Sequence, residues 1–422
     1  MSTPTITDLM AFLDASPSPW HVVQSACRRL IAAGFEQVDL REPWIDPPQR
    51  CFVVRDAALV AWHQPAGATV TTPFRIVGAH TDSPGLRVKP QPDTGHLGWK
   101  QLGVEVYGGA LLNSWLDRDL GIAGVVVLRD GTTTTVLIDE AICRVPQLAI
   151  HLDREISERG LVLDKQAHLN PVWGAGIPAA GEFRSWLASQ AGVDATQIAS
   201  WELCLFDCTP ARILGADQSL LASGRLDNQL SCWAAIDAMC HADAPTTSTA
   251  VVALFDHEEV GSESNTGAAG PLLEQVLERS SLAAGGTRAT YLTQLSGSSC
   301  ISADNAHAVH PNYPERHDPD HRPLVNKGPA IKLNANQRYA TSARTAAMLQ
   351  EVFDRADVPW QVFVSRNNMP CGTTIGPITA TRLGVDTVDV GVPQLSMHSA
   401  RELCGVDDPV WLAVGLRGYF AG

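Results

Sequence analysis

The chain has 422 residues, a formal net charge of −14 and 45% hydrophobic residues, a globular composition with room for roughly two or three domains. The acidic balance argues against general binding to nucleic acid or anionic membrane, both of which favour basic surface. Ten scattered cysteines without a Cys-x-x-Cys pair argue against a disulfide scaffold, a zinc knuckle and a redox dithiol.

From the N-terminus, Thr5-Ile6-Thr7-Asp8 reads as a capping box opening a helix with Leu9, Phe12 and Leu13 on one face. This segment has no Lys or Arg and no long apolar run, so no secretory signal is expected. Ser16-Pro17-Ser18-Pro19 breaks the helix, and a second one carries Val22, Val23, Ala26 and Leu30 to a stop at Gly34. Cys51–Arg55 and Ala58–Trp62 predict a hairpin around Asp56. Four short apolar runs then end at chemistry-bearing residues. Phe74–Ala79 ends at His80, Thr249–Phe255 just before Glu258 and Glu259, and Cys300–Ala303 at Asp304; Thr387–Gly391 leads into the segment carrying His398. Helical stretches such as Asn228–His241 and Pro271–Arg279 lie between them. The expected fold is therefore α/β, a mostly parallel sheet flanked by helices, whose site lies beyond the carboxyl ends of the strands. Residues 91–208 read differently. Val104–Tyr107, Gly124–Leu128 and Thr132–Leu137 are β-type, Lys165–Ala180 is loop-like, and Gly181–Gln190 is helical. They predict an inserted β-rich domain dividing the main one into 1–90 and 209–422. No stretch of roughly 18 apolar residues predicts a membrane span. A cytoplasmic protein with reduced thiols is expected.

Each motif has a bland alternative. In Gly78-Ala79-His80-Thr81-Asp82, His80 either meets a metal, with Asp82 fixing its ring, or the pair caps a turn. In Asp256-His257-Glu258-Glu259, neighbouring carboxylates on an extended loop point to opposite sides, one toward a metal and one toward substrate. Otherwise they form a solvated acidic turn. Asp227, before an apolar helix, is either an N-cap or a bridge between two metals. His307 and His310 follow Asp304 closely; His317 and His321 stand in a Pro-rich loop and read as solvated. His21, His63, His96, His168 and His241 read as structural. No nucleophile elbow or P-loop occurs.

Together, GAHTDSPGLRVKP (78–90), YGGALLNSWLDRDL (107–120), VPQLAIHL (145–152), SGRLDNQLSC (223–232), FDHEEVGS (255–262), SADNAHAVHPNY (302–313) and the 369–400 block ending MHSA resemble the aspartyl aminopeptidase family of co-catalytic zinc metallo-aminopeptidases. The resemblance implies a metallopeptidase domain interrupted by a dimerisation domain. It implies two Zn2+ per subunit, with Mn2+ or Co2+ as alternatives. His80 and Asp304 would hold one metal, Glu259 and His398 the other, and Asp227 both. Asp82 would orient His80. Glu258 would be the general base for a hydroxide shared by the metals, removing N-terminal residues, preferentially Asp or Glu, from peptides. His307, Lys332 and Tyr339 would meet substrate, and His151 would serve a neighbouring subunit in a homo-oligomer, a tetrahedral dodecamer built from dimers. His257 has no assigned role. The competing readings are a dinuclear deacylase or carboxypeptidase and a non-catalytic metal-holding scaffold.

Overall fold

The computed structural model describes residues 3–45 and 47–422. The largest sheet has nine strands, in the order Glu36–Gln37, Arg50–Arg55, Ala58–His63, Thr249–Phe255, Phe74–His80, Ser299–Ala303, Asp386–Gly391, Ala330–Leu333 and Gln361–Val364. The four central strands, from Thr249–Phe255 to Asp386–Gly391, are mutually parallel. Thr249–Phe255 is buried at every position, as a strand covered on both faces must be, and so its sequence is continuously apolar rather than alternating. The expected hairpin forms beside it, with antiparallel pairing from Arg50 and His63 inward to Arg55 and Ala58. At its turn Asp56 has φ 51°.

Helices cover both faces. On one, Pro19–Ala32, Leu226–His241, Ala343–Arg355 and Asp408–Ala421 bury a core that includes Val22, Trp233, Leu349 and Leu416. On the other, Leu272–Ala283, Arg288–Ser296 and Ile375–Leu383 pack Leu272, Tyr291 and Ile375 against Val251 and Ile76. Thr5 caps the first helix by accepting the Asp8 N–H, as its sequence predicts.

A second sheet of six antiparallel strands runs Thr133–Cys143, Leu120–Leu128, Ile198–Asp207, Gly85–Thr94, Trp99–Tyr107 and Val172–Ala175. The strand that comes first in the chain starts at Gly85, where a Cβ would lie 3.1 Å from the Trp115 ring. The strand Val172–Ala175 lies inside a stretch that reads as loop; it forms because the edge of Trp99–Gln101 offers free backbone partners. Phe183 and Leu187 of the helix Glu182–Ala191 fill the core beneath this sheet.

A third sheet has no clear sequence signal. Its strands Arg212–Leu214, Leu220–Ser223, Glu402–Gly405, Pro393–Leu395 and Ala306–His307 have two to four residues each. It gathers the start of the Asp227 segment, the segment after Asp304 and both sides of His398. Among the described residues no helix is long and apolar enough to cross a membrane.

Candidate metal centre and active site

The strand-end residues converge. His80 closes its strand and is almost fully buried. Its Nδ1 lies 3.0 Å from the Asp82 carbonyl oxygen. A carbonyl only accepts, so Nδ1 carries a proton and Nε2 is the nitrogen placed to meet a cation. Nε2 is 3.5 Å from Asp227 Oδ1 and 3.9 Å from Glu258 Oε2. The same device recurs across the site. His398 Nδ1 lies 3.1 Å from the Gly109 carbonyl, while Nε2 is 3.5 Å from Asp227 Oδ2 and 3.3 Å from Glu259 Oε1. The Nε2 atoms of two imidazoles thus face the two oxygens of one carboxylate.

Asp227 caps no helix with its side chain. Its φ of −83° and ψ of 107° are non-helical, and its carboxylate points between the two histidines. The Asp82 carboxylate holds the neighbouring turn. Its Oδ1 accepts the Glu258 N–H and its Oδ2 the Glu259 N–H, each at 3.1 Å, while Tyr107 donates its hydroxyl at 2.7 Å. The turn bearing both glutamates is therefore pinned by the residue that fixes the histidine. His257 contributes its backbone, turning the chain at φ 63°, and its Nδ1 lies 2.9 Å from Ser264 Oγ. Its ring faces that loop rather than the metal cluster.

The electrostatics are those of a crowded anionic pocket. Burial pushes Glu258 up to about 9; His80 opposes this and the carboxylates of Asp304 and Glu259 add to it. Burial likewise lifts Glu259 to about 7 and Asp304 to about 6. For His398 burial acts downward, but Asp227 and Glu259 win and raise it to about 11. Burial would raise Asp227 too, but His398 and His80 hold it well below the usual carboxylate range.

Donor atoms of His80, Asp227 and Glu259 lie within 4.8 Å of one another. Asp227 Oδ1 and Glu259 Oε1 are buried without any hydrogen-bond donor, an expensive state for a carboxylate oxygen unless a cation meets it. The raised carboxyls of Glu258, Glu259 and Asp304 would ionise beside a bound cation, which offsets the repulsion among them. The N/O donor set without sulfur suits zinc. The residues present therefore fit the metal.

One supporting residue escaped the sequence reading. Glu402 is 2% exposed. Its Oε2 accepts the Asp227 N–H at 2.9 Å and its Oε1 the His398 N–H at 2.7 Å. A single carboxylate thus ties together two segments that carry donors. Glu402→Gln converts one acceptor oxygen to a donor facing an N–H. It is expected to weaken metal retention by about 10- to 100-fold, the usual cost of losing an outer partner; competition with a fluorescent chelator measures it, and unchanged affinity would remove Glu402 from this role.

The remaining predicted residues divide. Lys332 is buried; its Nζ donates to the Asn305 carbonyl at 3.1 Å, lies 3.9 Å from Asp304 Oδ1 and sits 5.0 Å from the Tyr339 ring centroid. His307 and Tyr339 line a cavity of about 280 Å³ that also touches Gln394–Met397, the approach to His398. Between them, Phe363 meets His307 edge-on at 6.0 Å and Tyr339 at 6.2 Å. His151 is exposed on the turn Ile150–Leu152 and shares none of these contacts. His21 and His63 are buried in the fold, and His321 pairs locally with Asp318 at 2.8 Å.

Residues 12–420 match the family described as aminopeptidase I zinc metalloprotease (M18). This chain belongs to the M18 aminopeptidase family. Among its relatives, the probable M18 family aminopeptidase 2 of Streptomyces coelicolor is 54% identical over 98% of this chain and 96% of its own length. Its namesake in Mycobacterium tuberculosis is 48% identical over 99% and 98%. Among solved structures, a chain of the Ape4 and Nbr1 complex has TM-score 0.94 at 35% identity, covering 98% of this chain and 85% of that one. A chain of the S. cerevisiae mApe1 dodecamer has TM-score 0.85 at 27% identity, covering 98% and 96%. The zinc aminopeptidase fold and family that the sequence blocks resemble are thus those of this M18 chain.

Proposed function

We propose that this M18 aminopeptidase removes N-terminal Asp and Glu in preference to other residues from peptides, using two zinc ions per subunit. The observation that carries the reading is Asp227, whose oxygens face two imidazoles held in the ligand tautomer by carbonyls. His80 and Asp304 would hold one ion, Glu259 and His398 the other, and Asp227 would be shared. Mn2+ or Co2+ would suit the same donors. When bound, such ions polarise a peptide carbonyl and make water a better nucleophile near neutral pH.

The protein side follows from the side chains. Glu258 keeps 13% side-chain exposure against 4% for Asp227, so it can face solvent and substrate. Its carboxylate takes a proton from the attacking water and returns it to the leaving amine. Asp82 and Tyr107 hold the backbone of that turn still. His307 and Tyr339 line the space that receives the N-terminal residue, while Lys332 supports Asp304.

Assembly into a closed homo-oligomer, with residues 91–208 as the dimerising unit, accounts for exposed Leu148, Ile150, Leu152, Leu161 and Val162 around His151. Such an apolar belt is unusual on a monomer. His151 would then complete a neighbour's site. The ten free cysteines suit a reducing cytoplasm.

A panel of aminoacyl anilides and N-acyl amino acids, assayed with metal content measured on the same sample, tests the reading. Expected is hydrolysis of Asp- and Glu-anilides above the rest, lost on chelation and restored by zinc. Turnover of N-acyl amino acids alone would favour the deacylase, and no turnover by fully loaded protein would favour a scaffold.

A further inference from the structure

In a chain of net charge −14, the cavity beside His307 and Tyr339 has no Asp or Glu in its wall. Arg316 and Arg366 both line it. Arg316 is turned toward solvent, its side chain 63% exposed with Nε 3.8 Å from Glu315 Oε1. Arg366 is half-buried. Among the described residues no carboxylate, carbonyl or aromatic ring engages its guanidinium, although its backbone carbonyl accepts the Met369 N–H.

A half-buried guanidinium without a counter-charge keeps its planar fork free, and that fork matches a carboxylate bidentately. Phe363, Tyr339 and Met369 supply apolar wall beside it. Lys332, the other cation nearby, is not in this wall, and the Asp304 and Asp389 carboxylates offset its charge.

We infer that Arg366 is the specificity residue that pairs with the carboxylate side chain of the substrate's N-terminal residue. This rests on the aminopeptidase reading above and names the group that gives it an acidic preference. The cavity adjoins Met397, next to His398, so a substrate whose α-amine and first carbonyl reach the metal cluster can extend its side chain into it. The unpaired guanidinium welcomes Asp or Glu there and repels Lys or Arg.

The test uses the metal-loaded full chain and its variants Arg366→Met, Arg366→Lys and Arg366→Glu. Each is assayed on Asp-, Ala- and Lys-anilide, with metal content and thermal unfolding as controls. Arg366→Met should lower the Asp-to-Ala ratio of kcat/KM by about 10- to 100-fold, the range for a hydrogen bond to a charged group. Arg366→Lys should recover part of it, since charge returns without the fork. Arg366→Glu should raise kcat/KM for Lys-anilide above the wild type, which a merely structural role would not do. If Arg366→Met does not fold, Arg366→Lys alone decides, and a ratio equal to the wild type overturns the inference. A wild type without acidic preference would sink the substrate reading itself. A wild type that prefers Asp, with a ratio that survives Arg366→Met within twofold, would sink only the role of Arg366.

Discussion

Glu258→Gln is expected to keep its metal and lose about 10²- to 10⁴-fold in kcat, the usual contribution of a positioned proton carrier. The substitution keeps the shape of the side chain. The turn should survive, because it is the Glu258 N–H, not the carboxyl, that Asp82 holds. What disappears is a group able to accept and return a proton 3.9 Å from His80 Nε2. The neighbouring Glu259 cannot replace it, since its Oε1 faces His398 at 3.3 Å. Steady-state kinetics with elemental analysis of the same preparation checks this. Loss of metal along with activity would make Glu258 a ligand, and retention of more than about a tenth of kcat would leave the proton transfer to another group.

Asp227→Ala is expected to reduce bound metal to less than one ion per subunit, and activity with it. Both oxygens are removed at once, one facing His80 and the other His398. The Asp227 N–H is fastened to Glu402, and the residue is 3% exposed. Asp227→Asn separates shape from charge, because it fills the same volume but carries no anion to offset the ions. Elemental analysis after gel filtration reads both variants. Two tightly retained ions in Asp227→Ala would show that the residue only props the histidines.

How much of this was legible in the sequence depends on where each interaction originates. His80 and Asp304 were legible because a strand covered on both faces must be continuously apolar, so a polar residue at its end stands out. The expected helix Asn228–His241 begins at Leu226 in the structure, with Asp227 and Asn228 in non-helical geometry. From sequence, Asp227 had two readings; the histidines that separate them arrive from positions 80 and 398, which no local pattern reports. Glu402 was not legible for a related reason. Its partners are two backbone N–H groups, and a backbone amide leaves no mark on composition. The third sheet was missed because strands of two to four residues have too few positions to show alternation. The sequence presents Lys332 as a cation for substrate and is silent on its immediate neighbours, Asp304 and the Asn305 carbonyl, because both lie far from it along the chain. Arg366 carried no signal at all, since an arginine becomes informative only when its surroundings are seen to hold no counter-charge.

The most direct measurement is anomalous diffraction from crystals of the zinc-loaded protein, with data collected on both sides of the zinc absorption edge. The account predicts two peaks flanking the Asp227 carboxylate, one contacting His80 and Asp304, the other Glu259 and His398. A single peak there, or zinc held elsewhere while this cluster takes none, would contradict it.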